Sequence, residues 1–223
     1  KRPTVTGAQT RTERAELPPA PGPWRPATRI AFRFCVAYLA LYSCATQILG
    51  GIFLLPGLAI PSLGTVWPMR DVTFWIAERI FGVASMPPYV GNSGDTVFHW
   101  VQMFWILVAA ALAAGAWTAV DRHRRDYVRL HTWFRLFLRF GLAAQMFYFG
   151  MAKVIPTQFR PPALITLVEP VGNLSLSDML WVSIGAAPGY QIFTGFAELL
   201  GGLLLLLPAT TPLGAMICLA DMS

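Results

Sequence analysis

The sequence predicts an all-α membrane protein, a polytopic transmembrane helical bundle with four complete spans plus the start of a fifth and interfacial helices in its outer loops. Two observations carry this. Of 223 residues, 55% are hydrophobic and 13% charged, with a mean hydropathy of +0.53, and the apolar residues collect in long stretches closed by Pro or basic runs. Soluble domains carry charge at about a quarter of their positions, so the bilayer is the solvent that suits this composition. Spans of about 20 residues use up a chain of this length, which excludes a large soluble catalytic domain beside them.

Residues 1–28 are basic and rich in Pro, with Pro18-Pro19-Ala20-Pro21-Gly22-Pro23 and no apolar period, which predicts a disordered cytoplasmic tail. The apolar run that follows starts too late for a signal peptide. The chain starts at Lys1 and stops at Ser223 inside an apolar stretch, so a fragment of a longer protein is expected. The transmembrane domain is placed at 29–223. Its spans are expected at about 34–55, closed by Pro56-Gly57; 97–120; 134–155, closed by Pro156; 189–207, closed by Pro208; and 213–223, truncated.

Charge sets the expected orientation. Lys1, Arg2, Arg11, Arg14, Arg25, Arg29 and Arg33 precede or enter the first span, and Arg122, Arg124, Arg125, Arg129 and Arg135 fall in 121–135, between the second span and the start of the third. The other two connections hold only Arg70, Arg79 and Arg160. Lys and Arg concentrate on the retained side of a membrane, so the N-terminus and the loop around Arg125 are expected in the cytoplasm. Arginines that flank a span anchor anionic headgroups, and no nucleic-acid partner is expected.

The outer connections read as helices lying on the membrane. In 71–83, Val72, Trp75, Ile76, Ile80 and Val83 recur at helical spacing, and Ser175-Leu176-Ser177-Asp178 resembles a capped helix start. Such helices either roof a cavity between the spans or float at the interface.

Glu198 is the candidate catalytic or ligand-binding residue. A carboxylate near the middle of an apolar span is costly unless paired, protonated or wet. Gly195, Gly201 and Gly202 share its helix face and let a neighbouring helix approach, which places the acid inside the bundle. It serves either as a proton-exchanging or ligand-binding group, or as a structural interhelical bond. Gly141, Gln145, Tyr148 and Ala152 form one stripe of the third span, from which Gln145 and Tyr148 could reach it. Lys153 stands on another stripe near the outer end, about 10 Å shallower at 1.5 Å per residue, so a direct Lys153–Glu198 pair needs helix tilt or a bridging water; the alternative is that Lys153 snorkels to the headgroups. No metal site is expected: His99, His123 and His131 are dispersed, and Cys35, Cys44 and Cys218 read as small apolar residues.

Two stretches carry a family resemblance. Arg139-Phe-Gly-Leu-Ala-Ala-Gln145-Met-Phe-Tyr148-Phe-Gly150-Met-Ala-Lys153-Val-Ile-Pro156-Thr-Gln158-Phe159, followed by Gly195-Phe-Ala-Glu198-Leu-Leu-Gly-Gly-Leu, resembles the DoxX-like family of bacterial and archaeal membrane proteins. The tract Gly91-Asn-Ser-Gly-Asp95-Thr96 is similar to one in larger bacterial members. The resemblance implies a bundle with a four-span core in a bacterial inner membrane and, in some relatives, an association with quinone-linked sulfur oxidation or respiratory oxidases. The positions that match the family's polar pattern are Gln145, Lys153, Gln158 and Glu198, with Asp95.

Two functions follow as expectations. In the first, the protein is a quinone-linked redox accessory subunit. Tyr148, Phe149, Phe193 and Phe196 hold a quinone ring, Glu198 exchanges its proton, Gln145 or Lys153 bonds a carbonyl, and a partner subunit delivers electrons. In the second, the same groups serve a non-enzymatic lipid-binding or assembly protein.

Overall fold

The computed structural model describes residues 24–48, 62–83, 96–174 and 176–222. Among them are eight helices: α1 (Pro26–Ala45), α2 (Met69–Phe81), α3 (Val97–Val120), α4 (Val128–Val154), α5 (Leu164–Val168), α6 (Leu176–Gly185), α7 (Pro188–Leu206) and α8 (Thr211–Asp221). Proline in the first turn starts α1, α7 and α8, where its missing N–H costs nothing. Gly82, at φ 68°, ends α2 in the left-handed conformation that glycine adopts without a steric penalty.

The all-helical expectation stands, but the four complete spans and truncated fifth do not. Among the described residues two helices are long and apolar enough to cross a membrane, α3 and α7. Both match predicted boundaries closely. The other three fall short for separate physical reasons. Helix α1 takes Arg29 and Arg33 into its first turns and runs as a described helix only to Ala45; from residue 49 the predicted first span, with Gly50 and Gly51, and the Pro56-Gly57 expected to close it lie outside the described residues. Helix α4 begins at Val128 and takes Arg129, Arg135 and Arg139 into the helix with Lys153 near its end, so no long uncharged stretch remains. Helix α8 has 11 residues, too few to span about 30 Å of hydrocarbon at 1.5 Å each. The predicted tail at 1–28 lies outside the described residues as far as residue 23, and its last residues form the start of α1.

The helices pack as two antiparallel groups. In the first, α1 lies against α3, and α2 is fastened to α3 by Trp105 Nε1, which donates to Thr73 Oγ1 at 2.9 Å, and by a small core of Ile76, Ala77 and Val101. The buried face of α2 is therefore Thr73, Ile76 and Ala77, while Val72, Trp75 and Ile80 of the predicted apolar stripe face outward. In the second, α7 packs between α4 and α8 around Ala143, Met146, Leu205 and Cys218. Glycines set the spacing. A Cβ on Gly195 would stand 2.8 Å from the Gly150 carbonyl, and one on Gly214 would stand 2.9 Å from the Gly201 carbonyl, so both contacts are backbone against backbone.

Candidate functional site

A cavity of about 500 Å³ lies between the C-terminal half of α1, the N-terminal half of α3 and the middle of α4. Apolar groups make most of its wall, among them Leu39, Met103, Ile106, Leu142 and Phe149. Polar groups line it as well: Tyr42, Ser43, Gln47, His99, Gln102 and Gln145. An apolar pocket with a few convergent polar groups is the usual form of a small-molecule site.

The polar groups are positioned by the backbone around them. Gln102 is buried on α3 and donates its Nε2 to the carbonyl of Gly64 at 2.9 Å, which holds the Leu63–Thr65 turn against the cavity. Gly64 has no room for a side chain, because a Cβ there would collide with the Ala45 carbonyl and the Gln102 amide. Gln145, buried on α4, donates its Nε2 to the carbonyl of Gln47 at 3.4 Å and so ties α4 to the end of α1. On α1, Phe34, Tyr38 and Tyr42 stack at four-residue spacing with ring centroids 6.1 Å apart, presenting Tyr42 at the cavity.

Glu198 lies outside this cavity, on the seam where α7 meets α4 and α8. Lys153 Nζ donates to Glu198 Oε1 at 2.5 Å, and the two side chains are only 16% and 5% exposed. The direct pair corrects the expected 10 Å depth gap. The Gly150–Gly195 contact slides α4 along α7 until Lys153 Cβ stands beside Gly195, one turn from Glu198, within reach of a four-carbon stem. Glu198 Oε2 is buried with no hydrogen-bond partner among the described residues. Asp221, at the end of α8, is close enough for its charge to act on both Glu198 and Cys218, because α8 runs antiparallel to α7 with Cys218 over Gly201. Two carboxyl groups and one ammonium thus meet where three helices join.

The structure divides the remaining candidates. Gln145 and Phe149 line the cavity. Tyr148, Phe193 and Phe196 are 57%, 70% and 58% exposed on outer helix faces, so they do not form one slot with Phe149. Gln158 is exposed in the loop after α4, and Asp95 lies outside the described residues. Among the described residues no group of His, Cys, Asp and Glu could hold a metal ion, and the three cysteines are free.

Sequence reasoning missed three residues. Gln102 has the signal of an amide midway round an apolar helix. Gln191 is 1% exposed, and its amide, suitably oriented, pairs with the main-chain N–H and carbonyl of Phe159 at 3.1 and 3.2 Å. That contact fixes the loop after α4 onto α7, and Phe159 in turn stacks on Trp181 of α6 at 5.0 Å. Asp221 could have been found from the spacing Gly214, Cys218, Asp221, which is one helix face.

Comparison with known proteins adds a partial likeness. The chain is 37% identical over 84 residues, 38% of its length, to the uncharacterized protein YwoB of Bacillus subtilis (strain 168). It spans half the length of that relative. No family model matches the chain, and no solved structure does. The DoxX-like resemblance therefore rests on its short motifs.

Proposed function

We propose that the protein is a membrane-embedded binding protein for a small amphipathic molecule, held in the cavity between α1, α3 and α4. The observation that carries this is the composition of that wall: an apolar surface the size of a lipid chain or a prenylated ring, with the amides of Gln102 and Gln145 and the hydroxyl of Tyr42 beside it. The membrane setting is supported by α3 and α7. Only 17% of the apolar stretch of α3 and 33% of that of α7 is buried within the protein, whereas the core helix of a soluble protein is mostly covered. The arginine-rich end, where α1 starts and α3 stops, then faces the cytoplasm of a bacterial inner membrane, and the cavity opens toward the outer leaflet.

A quinone is one occupant of this chemistry and a lipid is another. The Lys153–Glu198 pair does not line the cavity, so proton exchange between Glu198 and a bound ring is not part of the proposal. The DoxX-like resemblance, whose relatives include partners of quinone-linked oxidases, supports the quinone; the amide-rich wall suits either.

The test is native mass spectrometry of the protein purified in mild detergent. The expected result is a bound molecule at near-unit stoichiometry that Gln145→Leu reduces at least threefold. Visible quinone absorbance would identify a quinone, and phospholipid mass a lipid. A protein that carries nothing, and whose melting temperature neither quinones nor phospholipids raise, contradicts the proposal.

A further inference from the structure

A second cleft, of about 130 Å³, opens at the opposite end of the α1–α3 pair and is lined by Pro26, Arg29, Ile30, Arg33, Thr118 and Arg122. Arg33 is fully engaged: it is 2% exposed and donates to Tyr127 Oη at 2.8 Å, Thr118 Oγ1 at 2.9 Å and the Asp121 carbonyl at 2.7 Å. Arg29 is not. One of its amino groups donates to the Arg124 carbonyl at 2.6 Å, while its Nε is buried with no partner among the described residues. A buried guanidinium N–H left without an acceptor is unfavourable, which points to a group that the described residues do not provide.

The charge points the same way. Arg29, Arg33 and Arg122 border the cleft, and among the described residues no carboxylate lies within ion-pairing distance of any of them. Asp121 is the negative group near Arg33 and Arg124, and it already accepts from the Tyr127 hydroxyl at 2.8 Å. Excess positive charge remains.

We propose that this cleft binds a phosphate group, and that the phosphate is the headgroup of an anionic lipid. Guanidinium groups match phosphate oxygens in geometry and charge, and the cleft is of a size for a phosphate rather than a nucleotide. Its rim includes Pro26 and Ile30, the latter 49% exposed, which suits a glycerol-linked phosphate better than a free one. The cleft also sits at the end of α3, at headgroup depth if α3 crosses the bilayer. The site is independent of the larger cavity, which lies at the other end of α1.

Binding of phosphatidylglycerol, phosphatidylcholine and inorganic phosphate to the detergent-purified protein tests the proposal, with Arg29→Gln, Arg122→Gln and their double variant. Arg122 is exposed, so Arg122→Gln keeps the fold. The expected result is selective binding of phosphatidylglycerol, weakened threefold or more by Arg122→Gln and tenfold or more by the double variant, and screened by salt. Arg70→Gln, far from the cleft, should bind as wild type does. If inorganic phosphate protects the protein as well as phosphatidylglycerol does, the lipid source is overturned. Variants that bind phosphatidylglycerol like the wild type overturn the site itself.

Discussion

Lys153 and Glu198 meet at 2.5 Å because Gly150 and Gly195 let the backbones of α4 and α7 touch one turn away. Neither residue alone explains the pair. A lysine at a helix end would otherwise extend to water, and a glutamate in the middle of an apolar helix would otherwise face lipid at a cost of several kcal/mol.

The first prediction follows from that spacing. Gly195→Ala places a methyl 2.8 Å from the Gly150 carbonyl and 2.9 Å from the Val154 nitrogen, neither of which can yield without moving a helix. Overpacking of this kind costs about 1–3 kcal/mol. Thermal unfolding should show Gly195→Ala well below wild type, while Gly189→Ala, with nothing within 4 Å of the added carbon, stays close to it. Equal melting temperatures for both would mean that the helices are not in contact there.

The ion pair itself gives the second. Removing one partner strands the other charge, and losing half of a buried pair costs about 3–5 kcal/mol. Lys153→Met and Glu198→Leu should each destabilise strongly, and the double variant should be more stable than either single one, since neither member of the pair is then left without the other. Additive losses in the double-mutant cycle would show that the two side chains do not interact.

The third concerns pH at the other end of the molecule. Tyr127 donates to Asp121 Oδ2 at 2.8 Å; that bond foremost, with Trp117 and the charges of Arg124 and Arg33 behind it and partial burial opposing, holds the carboxyl below the usual carboxylate range. A carboxyl whose folded pKa is depressed stabilises the fold above its unfolded value of about 3.9 and loses that contribution as pH falls through the folded value. Asp121→Asn should therefore melt below wild type at pH 7, with the gap closing in strong acid. A gap that stays constant through the acid range would show that the Asp121 carboxylate does not stabilise the fold.

How far the sequence foretold this arrangement depended on the range of the interactions. Helix α3 was legible to the residue because its apolar run is long and uninterrupted. Arg33 was not, because the groups that bury it, Thr118, Asp121 and Tyr127, lie 85 to 94 residues away and nothing near it in the chain signals them. Gly195, Gly201 and Gly202 correctly marked close helix approach on the face of Glu198, but helical spacing could not say that Gly195 and Gly202 meet α4 while Gly201 meets α8. The register of α4 against α7 is a tertiary choice, and the Lys153 contact depended on it.

Position of the bound molecule is the most direct test. A photoactivatable fatty-acid or lipid probe with a mid-chain diazirine, added to the purified protein, should crosslink to the wall of the cavity, and peptide mass spectrometry should place the adducts at Met103, Ile106, Leu142 and Phe149. Adducts confined to the outer helix faces, at residues such as Leu112 and Phe196, with the cavity wall unlabelled, would contradict the binding function.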